Sequence, residues 1–241
     1  MTKNIHFEIE GGYQYEAFHH GICFQKSWHQ LKYRKALELL GSNPNEKILD
    51  AACGSGVLTN LMAQHIDTKI IGADFSEAAI KFCTEKYAGE NVEFILLDLQ
   101  EKYFKENTFT AIVMLEAIEH FTSPVAETIL KNLYAYLKPG GKLIISTPNK
   151  NSFWTAIEFL LDAFRLTPRM KNEQHVKLYT KSSFKKILEE TGFTVKRIET
   201  THFIAPWMSF LGLKTAEKFH AAEQKAGIFP GSLLFAVAEK K

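Results

Sequence analysis

The chain predicts an α/β fold of the doubly wound kind, a parallel sheet with helices on both faces. The first observation behind this is a strand, a tight small-residue turn and a helix start: Lys47-Ile48-Leu49-Asp50-Ala51-Ala52-Cys53-Gly54-Ser55-Gly56-Val57. The second is an ordered series of acids at strand ends. Asp74 closes Ile70-Ile71-Gly72-Ala73, Asp98 closes Phe94-Ile95-Leu96-Leu97, and Glu116-Ala117-Ile118-Glu119-His120 follows a fourth strand. In such a sheet the carboxyl ends of the strands meet at one crevice, which is where ligands bind. A glycine turn alone is weak evidence; the series repeats at the spacing of strand–helix units.

Taken in order, residues 13–41 are aromatic-rich and helical in pattern, with Trp28, Leu31, Ala36, Leu39 and Leu40 toward one face. Gly41-Ser42-Asn43-Pro44-Asn45 breaks the chain. Strands are then expected at 47–51, 69–74, 92–97, 110–115 and 142–147, with helices at 56–66, 76–87 and 123–137 between them. Leu137-Lys138-Pro139-Gly140-Gly141 reads as a helix stop and turn. Beyond Pro148 the rhythm changes. An amphipathic helix at 152–166 is not required by the core fold, a polar loop covers 167–179, and a helix at 181–191 leads to a strand at 193–199. An apolar stretch from Phe203 to Leu213, a helix near 214–226 and a strand at 232–238 follow. The division expected is a helical cap at 1–41 and one catalytic-type domain at 42–241, with lid segments at 151–179 and 203–226.

Composition narrows the class. A chain of 241 residues buries a sizeable core. A net charge of +2 without basic runs argues against nucleic acid as a partner. The three cysteines Cys23, Cys53 and Cys83 lack metal-type spacing and read as thiols of a reducing compartment. No apolar stretch approaches the ~20 residues that span a bilayer, and the first residues do not form a signal peptide. These features give a cytoplasmic expectation and leave the oligomeric state open.

The turn after the first strand brings backbone close to a ligand, and the N–H groups of the following helix start can meet a negative group. Gly54 and Gly56 are followed by Thr59 where a dinucleotide-binding motif would have a third glycine or alanine, which argues against a dehydrogenase. Asp50 is placed to hold an ammonium group, Asp74 to accept both ribose hydroxyls, and Asp98, with the Leu99 N–H beside it, to read an adenine amine. An amino acid, a ribose and an adenine together describe S-adenosylmethionine. Capping or a solvated strand end explains any one acid; it does not explain the set.

On these residues the chain resembles the class I S-adenosylmethionine-dependent methyltransferases across residues 28–200. Their turn reads D/E-x-G-x-G-x-G, and this chain has Ala52 at the first glycine. The resemblance implies a Rossmann-like seven-stranded sheet whose last strand is antiparallel, with Phe193–Glu199 and Ser232–Ala238 as the final pair. It also implies a cofactor set of Asp50, Ala52, Gly54, Gly56, Asp74, Phe75, Asp98, Leu99 and Leu115. Arg34, or Lys32, is a candidate to reach the cofactor carboxylate from the cap.

Glu116, Glu119 and His120 follow strand four beside the place of the sulfonium, and His175 follows strand five. Methyl transfer needs alignment and sometimes a base that bares the nucleophile. His120 is the first candidate for that role, with Glu116, Glu119 and His175 around it. The same four residues would suit a divalent cation such as Mg²⁺, Mn²⁺ or Zn²⁺.

Two subfamilies share this pattern. The ubiquinone-biosynthesis O-methyltransferases show a similar E-x-x-E-H, an S-T-x-N motif, an apolar insert with a basic tail, and a later histidine. The matching residues are Ser146-Thr147-Pro148-Asn149, the helix within 152–164, Arg165-Leu166-Thr167-Pro168-Arg169 and His175. The small-RNA 2′-O-methyltransferases also pair two glutamates with two histidines, but this chain lacks the basic surface RNA favours. The expectation is methyl transfer to a hydroxyl of a small aromatic or lipid-like, quinol-type acceptor. A non-catalytic module that binds S-adenosylmethionine is the competing class. The apolar stretches 152–164 and 203–213 are candidates for covering the crevice or for peripheral contact with a membrane.

Overall fold

The computed structural model describes residues 11–41, 47–152, 176–227 and 230–241. Two helices, α1 (Tyr13–His19) and α2 (Cys23–Leu40), precede β1 (Lys47–Ala51). The chain then alternates through α3 (Val57–His65), β2 (Lys69–Asp74), α4 (Glu77–Tyr87), β3 (Val92–Leu96) and β4 (Phe109–Leu115). A 3₁₀ turn, Ile118–His120, leads to α5 (Ser123–Tyr136) and β5 (Leu137–Pro148). The last part holds α6 (Lys181–Glu190), β6 (Thr194–Thr201), a 3₁₀ helix at Trp207–Leu211, α7 (Leu213–Ala226) and β7 (Leu233–Glu239). The seven strands form one sheet in the order β3-β2-β1-β4-β5-β7-β6. Neighbours from β3 to β5 are parallel, while β7 runs antiparallel to both β5 and β6. This is the doubly wound sheet with a reversed last strand that the sequence predicts.

Alternation along the strands explains the two helical layers, because successive strand side chains point to opposite faces. Ile48, Ile70, Ala111, Val113 and Ile144 turn to one face, where Tyr33, Ala36 and Leu40 of α2 and Val57, Leu58 and Met62 of α3 meet them. Leu49, Ile71, Ile112, Met114 and Ile145 turn to the other, against Ile129, Leu130 and Leu133 of α5 and Phe184 and Leu188 of α6. Local chemistry sets the helix starts. The Ser76 hydroxyl accepts from the Ala79 N–H at 3.2 Å and Thr180 accepts from Ser183 at 3.2 Å, each a side-chain N-cap. Pro124 sits in the first turn of α5, where its missing N–H costs nothing.

Some boundaries differ from expectation. β5 begins at Leu137 rather than 142, because Leu137 pairs with Phe109 before a register shift that returns Lys142 opposite Ala111. The Lys138-Pro139-Gly140-Gly141 turn is thus absorbed into a strand irregularity. The apolar stretch 203–213 contains a 3₁₀ helix, Trp207–Leu211. The helix expected at 152–166 falls, from residue 153 on, outside the described residues.

Candidate active site at the strand ends

The turn after β1 places three residues in the left-handed region: Ala52 (φ 61°), Gly54 (φ 52°) and Gly56 (φ 71°). Glycine is required at Gly56 for a second reason. A Cβ there would stand 2.9 Å from Phe94 Cε1 and 3.0 Å from Cys83 Sγ. Ala52 keeps its Cβ in a conformation that costs an L-residue about 1–2 kcal/mol.

The acids of β1 and β2 are tied into this turn. Asp50 is buried, and its carboxylate accepts from the Thr59 hydroxyl at 2.6 Å. Burial pushes its pKa up to about 7. Asp74, also buried, accepts from the Gly54 N–H and from the Ser76 N–H, both at 2.9 Å. Burial raises its pKa while those N–H groups pull it back. The Phe75 N–H also bonds this carboxylate, which is an acceptor-only group of the kind a ribose hydroxyl donates to. Asp98, after β3, accepts from the Gln100 N–H at 2.9 Å. Leu99 beside it is buried, Phe75 is partly exposed after β2, and Leu115 pairs with Ser146 at the end of β4. These residues fit an amino acid, a ribose and a base in succession along the crevice.

The far side of the crevice is built by long-range pairs. Glu116 has left-handed backbone (φ 49°), and its N–H donates to the Ser146 carbonyl at 3.1 Å. Its carboxylate forms an ion pair and hydrogen bond with Lys32 of α2, a side chain only 6% exposed. Burial alone would lower the Lys32 pKa, but the charge and hydrogen bond of Glu116, with Tyr33 and Glu119, together outweigh it and the net shift is upward. Glu119 is buried. One oxygen accepts from the Thr147 hydroxyl at 3.0 Å and the other has no hydrogen-bond partner. Burial, and then the charge of Glu116, raise its pKa to about 8. His120 is exposed, one residue further on the 3₁₀ turn.

The structure redirects several candidates. Arg34 is 62% exposed and pairs with Glu217 of α7 at 3.0 Å, while Lys32 is the cap residue that pairs with Glu116 after β4. Glu116 and Glu119 have separate partners. Glu116 serves an ammonium and Glu119 a threonine hydroxyl, and no group of three His, Cys, Asp or Glu side chains gathers as a metal site among the described residues. Lys32 already engages Glu116, so a divalent cation on that carboxylate would meet an ammonium. His175 lies outside the described residues.

Sequence reasoning missed other members of the site. Thr59, read only as a departure from a dinucleotide motif, holds Asp50. Thr147 holds Glu119, and its signal was the S-T-P-N motif. Gln14 of α1 rests on the glycine turn. Its side-chain carbonyl accepts from the Ser55 N–H at 3.0 Å, and its amide nitrogen would be 2.4 Å from a Cβ on Gly54. No motif announced it.

The fold, with its acids at the strand ends, is that of the class I S-adenosylmethionine-dependent methyltransferases. A family model described as "Methyltransferase domain" matches residues 26–198, and the chain belongs to that family. It is similar to phosphoethanolamine N-methyltransferase 3 of Arabidopsis thaliana, 31% identical over 148 residues covering 61% of this chain. The chain spans only about 30% of that relative's length. A ubiquinone biosynthesis O-methyltransferase of Acinetobacter baumannii is 26% identical over 172 residues, covering 69% of this chain and 71% of the relative. Among solved structures, an S-adenosylmethionine-dependent methyltransferase from Mesorhizobium loti shares the fold with a TM-score of 0.65. It is 14% identical, and the match covers 87% of this chain and 98% of that one. A methyltransferase-like protein of Bacillus halodurans has a TM-score of 0.62 at 21% identity, covering 86% of this chain and 98% of that one.

Proposed function

We propose that this chain transfers a methyl group from S-adenosylmethionine to a hydroxyl of a small aromatic or lipid-like, quinol-type acceptor. The observation that carries the reading is the strand-four terminus, where an exposed imidazole, His120, adjoins a buried carboxyl and a buried ammonium beside the cofactor acids. When bound, S-adenosylmethionine supplies a methyl carbon on a sulfonium whose C–S bond breaks as the new bond forms. Asp50 orients the amino-acid end, Asp74 the ribose and Asp98 the base, with the N–H groups of the turn fixing the backbone approach. The acceptor proton passes to His120, leaving the oxygen lone pair for the methyl carbon. Two-way coverage of the Acinetobacter O-methyltransferase supports an oxygen acceptor.

The identity to phosphoethanolamine N-methyltransferases favours a second reading, an amine acceptor beside Glu116 and Glu119. Methyl-labelled S-adenosylmethionine offered with a catechol, with phosphoethanolamine and with RNA separates these readings. Label entering the catechol supports the first reading; label entering phosphoethanolamine or RNA alone would sink it. Retained cofactor binding with no transfer to any acceptor supports the binding module.

The same reading extends to a lipid surface. Ile204, Phe210, Leu211 and Leu213 are exposed around the 3₁₀ helix at Trp207–Leu211, and no described helix is long and apolar enough to cross a membrane. We place peripheral contact there. Phe210→Ala together with Leu211→Ala should abolish liposome co-sedimentation, and the absence of wild-type binding rejects it. The other stretch expected to take part, 152–164, lies outside the described residues from 153 on.

A further inference from the structure

The place at which the sequence suggests a metal ion is held by a side chain. Lys32 Nζ is buried and bonded to Glu116, the first carboxylate of the expected cage, which follows the end of β4 and is partly exposed. An ammonium has three protons. One goes to Glu116, and no other hydrogen-bond partner of Nζ is found among the described residues. A divalent cation on Glu116 would sit in direct repulsion with this charge.

The placement of Lys32 is over-determined. Trp28, Lys32 and Lys35 lie at i, i+4 and i+7 on α2, so they share one helix face. Both flanking residues are anchored to the β6 region. His202 Nε2 is 3.0 Å from the Trp28 carbonyl, with the two rings edge to face at 4.8 Å. Lys35, itself buried, pairs with Glu199 at 2.9 Å. His202 is completely buried, and its Nδ1 lies 3.0 Å from the Thr201 hydroxyl. The helix is thus pinned one turn on either side of the residue it delivers to the crevice.

The geometry points to Lys32 as the fixed cation of the acceptor site, standing where a metal ion would otherwise be needed. It rests on the hydroxyl-transfer reading above. As the acceptor O–H gives its proton to His120, the oxygen gains negative charge. The unshared N–H groups of Lys32 meet that charge, and Glu116 keeps the ammonium in place. A preorganised donor of this kind stabilises developing charge without reorganisation. The chemistry then runs without a divalent cation.

Mn²⁺ is the probe, titrated by electron paramagnetic resonance into the wild type, Lys32→Met and Lys32→Met/Glu116→Gln. S-adenosylhomocysteine binding serves as the check of fold and cofactor site. The wild type should refuse stoichiometric Mn²⁺. Lys32→Met, with its carboxylates released, should bind Mn²⁺ at least tenfold more tightly than the wild type, and the double variant should lose that gain. Catechol methylation should be insensitive to chelator and fall at least 100-fold in Lys32→Met, with partial recovery in Lys32→Arg. Stoichiometric Mn²⁺ on the wild type, loss of turnover with chelator, or full turnover in Lys32→Met overturns the proposal. A wild type that refuses Mn²⁺ and methylates no hydroxylated acceptor keeps Lys32 as the cation of the site, and overturns the hydroxyl reading instead.

Discussion

The two halves of the crevice are built by opposite strategies. On the cofactor side, Asp50 reaches nine residues to Thr59, Asp74 reaches two to Ser76 and twenty to Gly54, and the backbone itself supplies most donors. On the acceptor side, Lys32 reaches 84 residues to Glu116 and Thr147 reaches 28 to Glu119, side chain to side chain. The first half is shaped by a local turn, so it tolerates few alternatives at each position. The second is assembled by packing α2 onto the sheet, so its residue types are free to change with the acceptor.

Several substitutions would break or sharpen this contrast. The largest effect is expected at Gly56→Ala, where a left-handed backbone and contacts to Phe94 and Cys83 combine. The loss should be about 3–5 kcal/mol, read from urea denaturation, with no cofactor binding by calorimetry. An unfolding midpoint near that of the wild type would contradict it. Next comes Lys32→Met, which strands a carboxylate in a site closed to water on one side. It should cost about 3 kcal/mol, and the double variant with Glu116→Gln should recover much of that while leaving cofactor affinity intact.

A smaller effect separates the two sides by pH. The folded pKa values of Asp50, about 7, and Glu119, about 8, lie above their unfolded values. Their contribution is therefore fully present below the unfolded carboxyl range and is lost as pH rises through the folded values. Without cofactor, the urea midpoint should fall between about pH 5 and pH 8. Glu119 faces Glu116, Lys32 and Thr147. Glu119→Gln should flatten that decline, most completely in its upper part, and Thr59→Val, which removes the donor that lowers the Asp50 pKa, should extend it to higher pH. A midpoint that rises over this range would refute the assignment. The smallest expected change is Ala52→Gly, a gain of about 1 kcal/mol or less, because relief of the left-handed strain is partly offset by a more flexible unfolded chain. Thermal unfolding would register it, and a loss of stability would show that the methyl group packs usefully.

This contrast also explains what could be read from the sequence. The alternating strands and helices and the acids Asp50, Asp74 and Asp98 follow from periodicity and short spacing, which are local signals, whereas the reversed β7 comes only with the resemblance to the methyltransferases. Lys32 is one lysine among many on a helix, and nothing in its neighbourhood says that its ammonium is buried. Arg34, two residues on, looks as suitable in the sequence, but that offset turns it about 200° around the helix, toward Glu217. Gln14 is invisible for the same reason, since its partner, the Ser55 N–H, belongs to a turn 41 residues away. Thr59 shows the converse. Its position was noticed for the glycine it replaces, while its hydroxyl is what matters.

The placement of β7 bears on how the protein comes into being. It is the last strand in sequence yet lies between β5 and β6, pairing with both. During synthesis β6 emerges before it has any neighbour in the sheet, and β5 ends the parallel part with an open edge. The pinning of α2 through Glu199 and His202 waits for the same event, because β6 can be held in the sheet only by β7. The residues that place Lys32 in the crevice would then assemble last, so a nascent chain has a formed cofactor turn before it has an acceptor site. Such long-range closure slows folding, and it makes residues 233–239 the latch of the site.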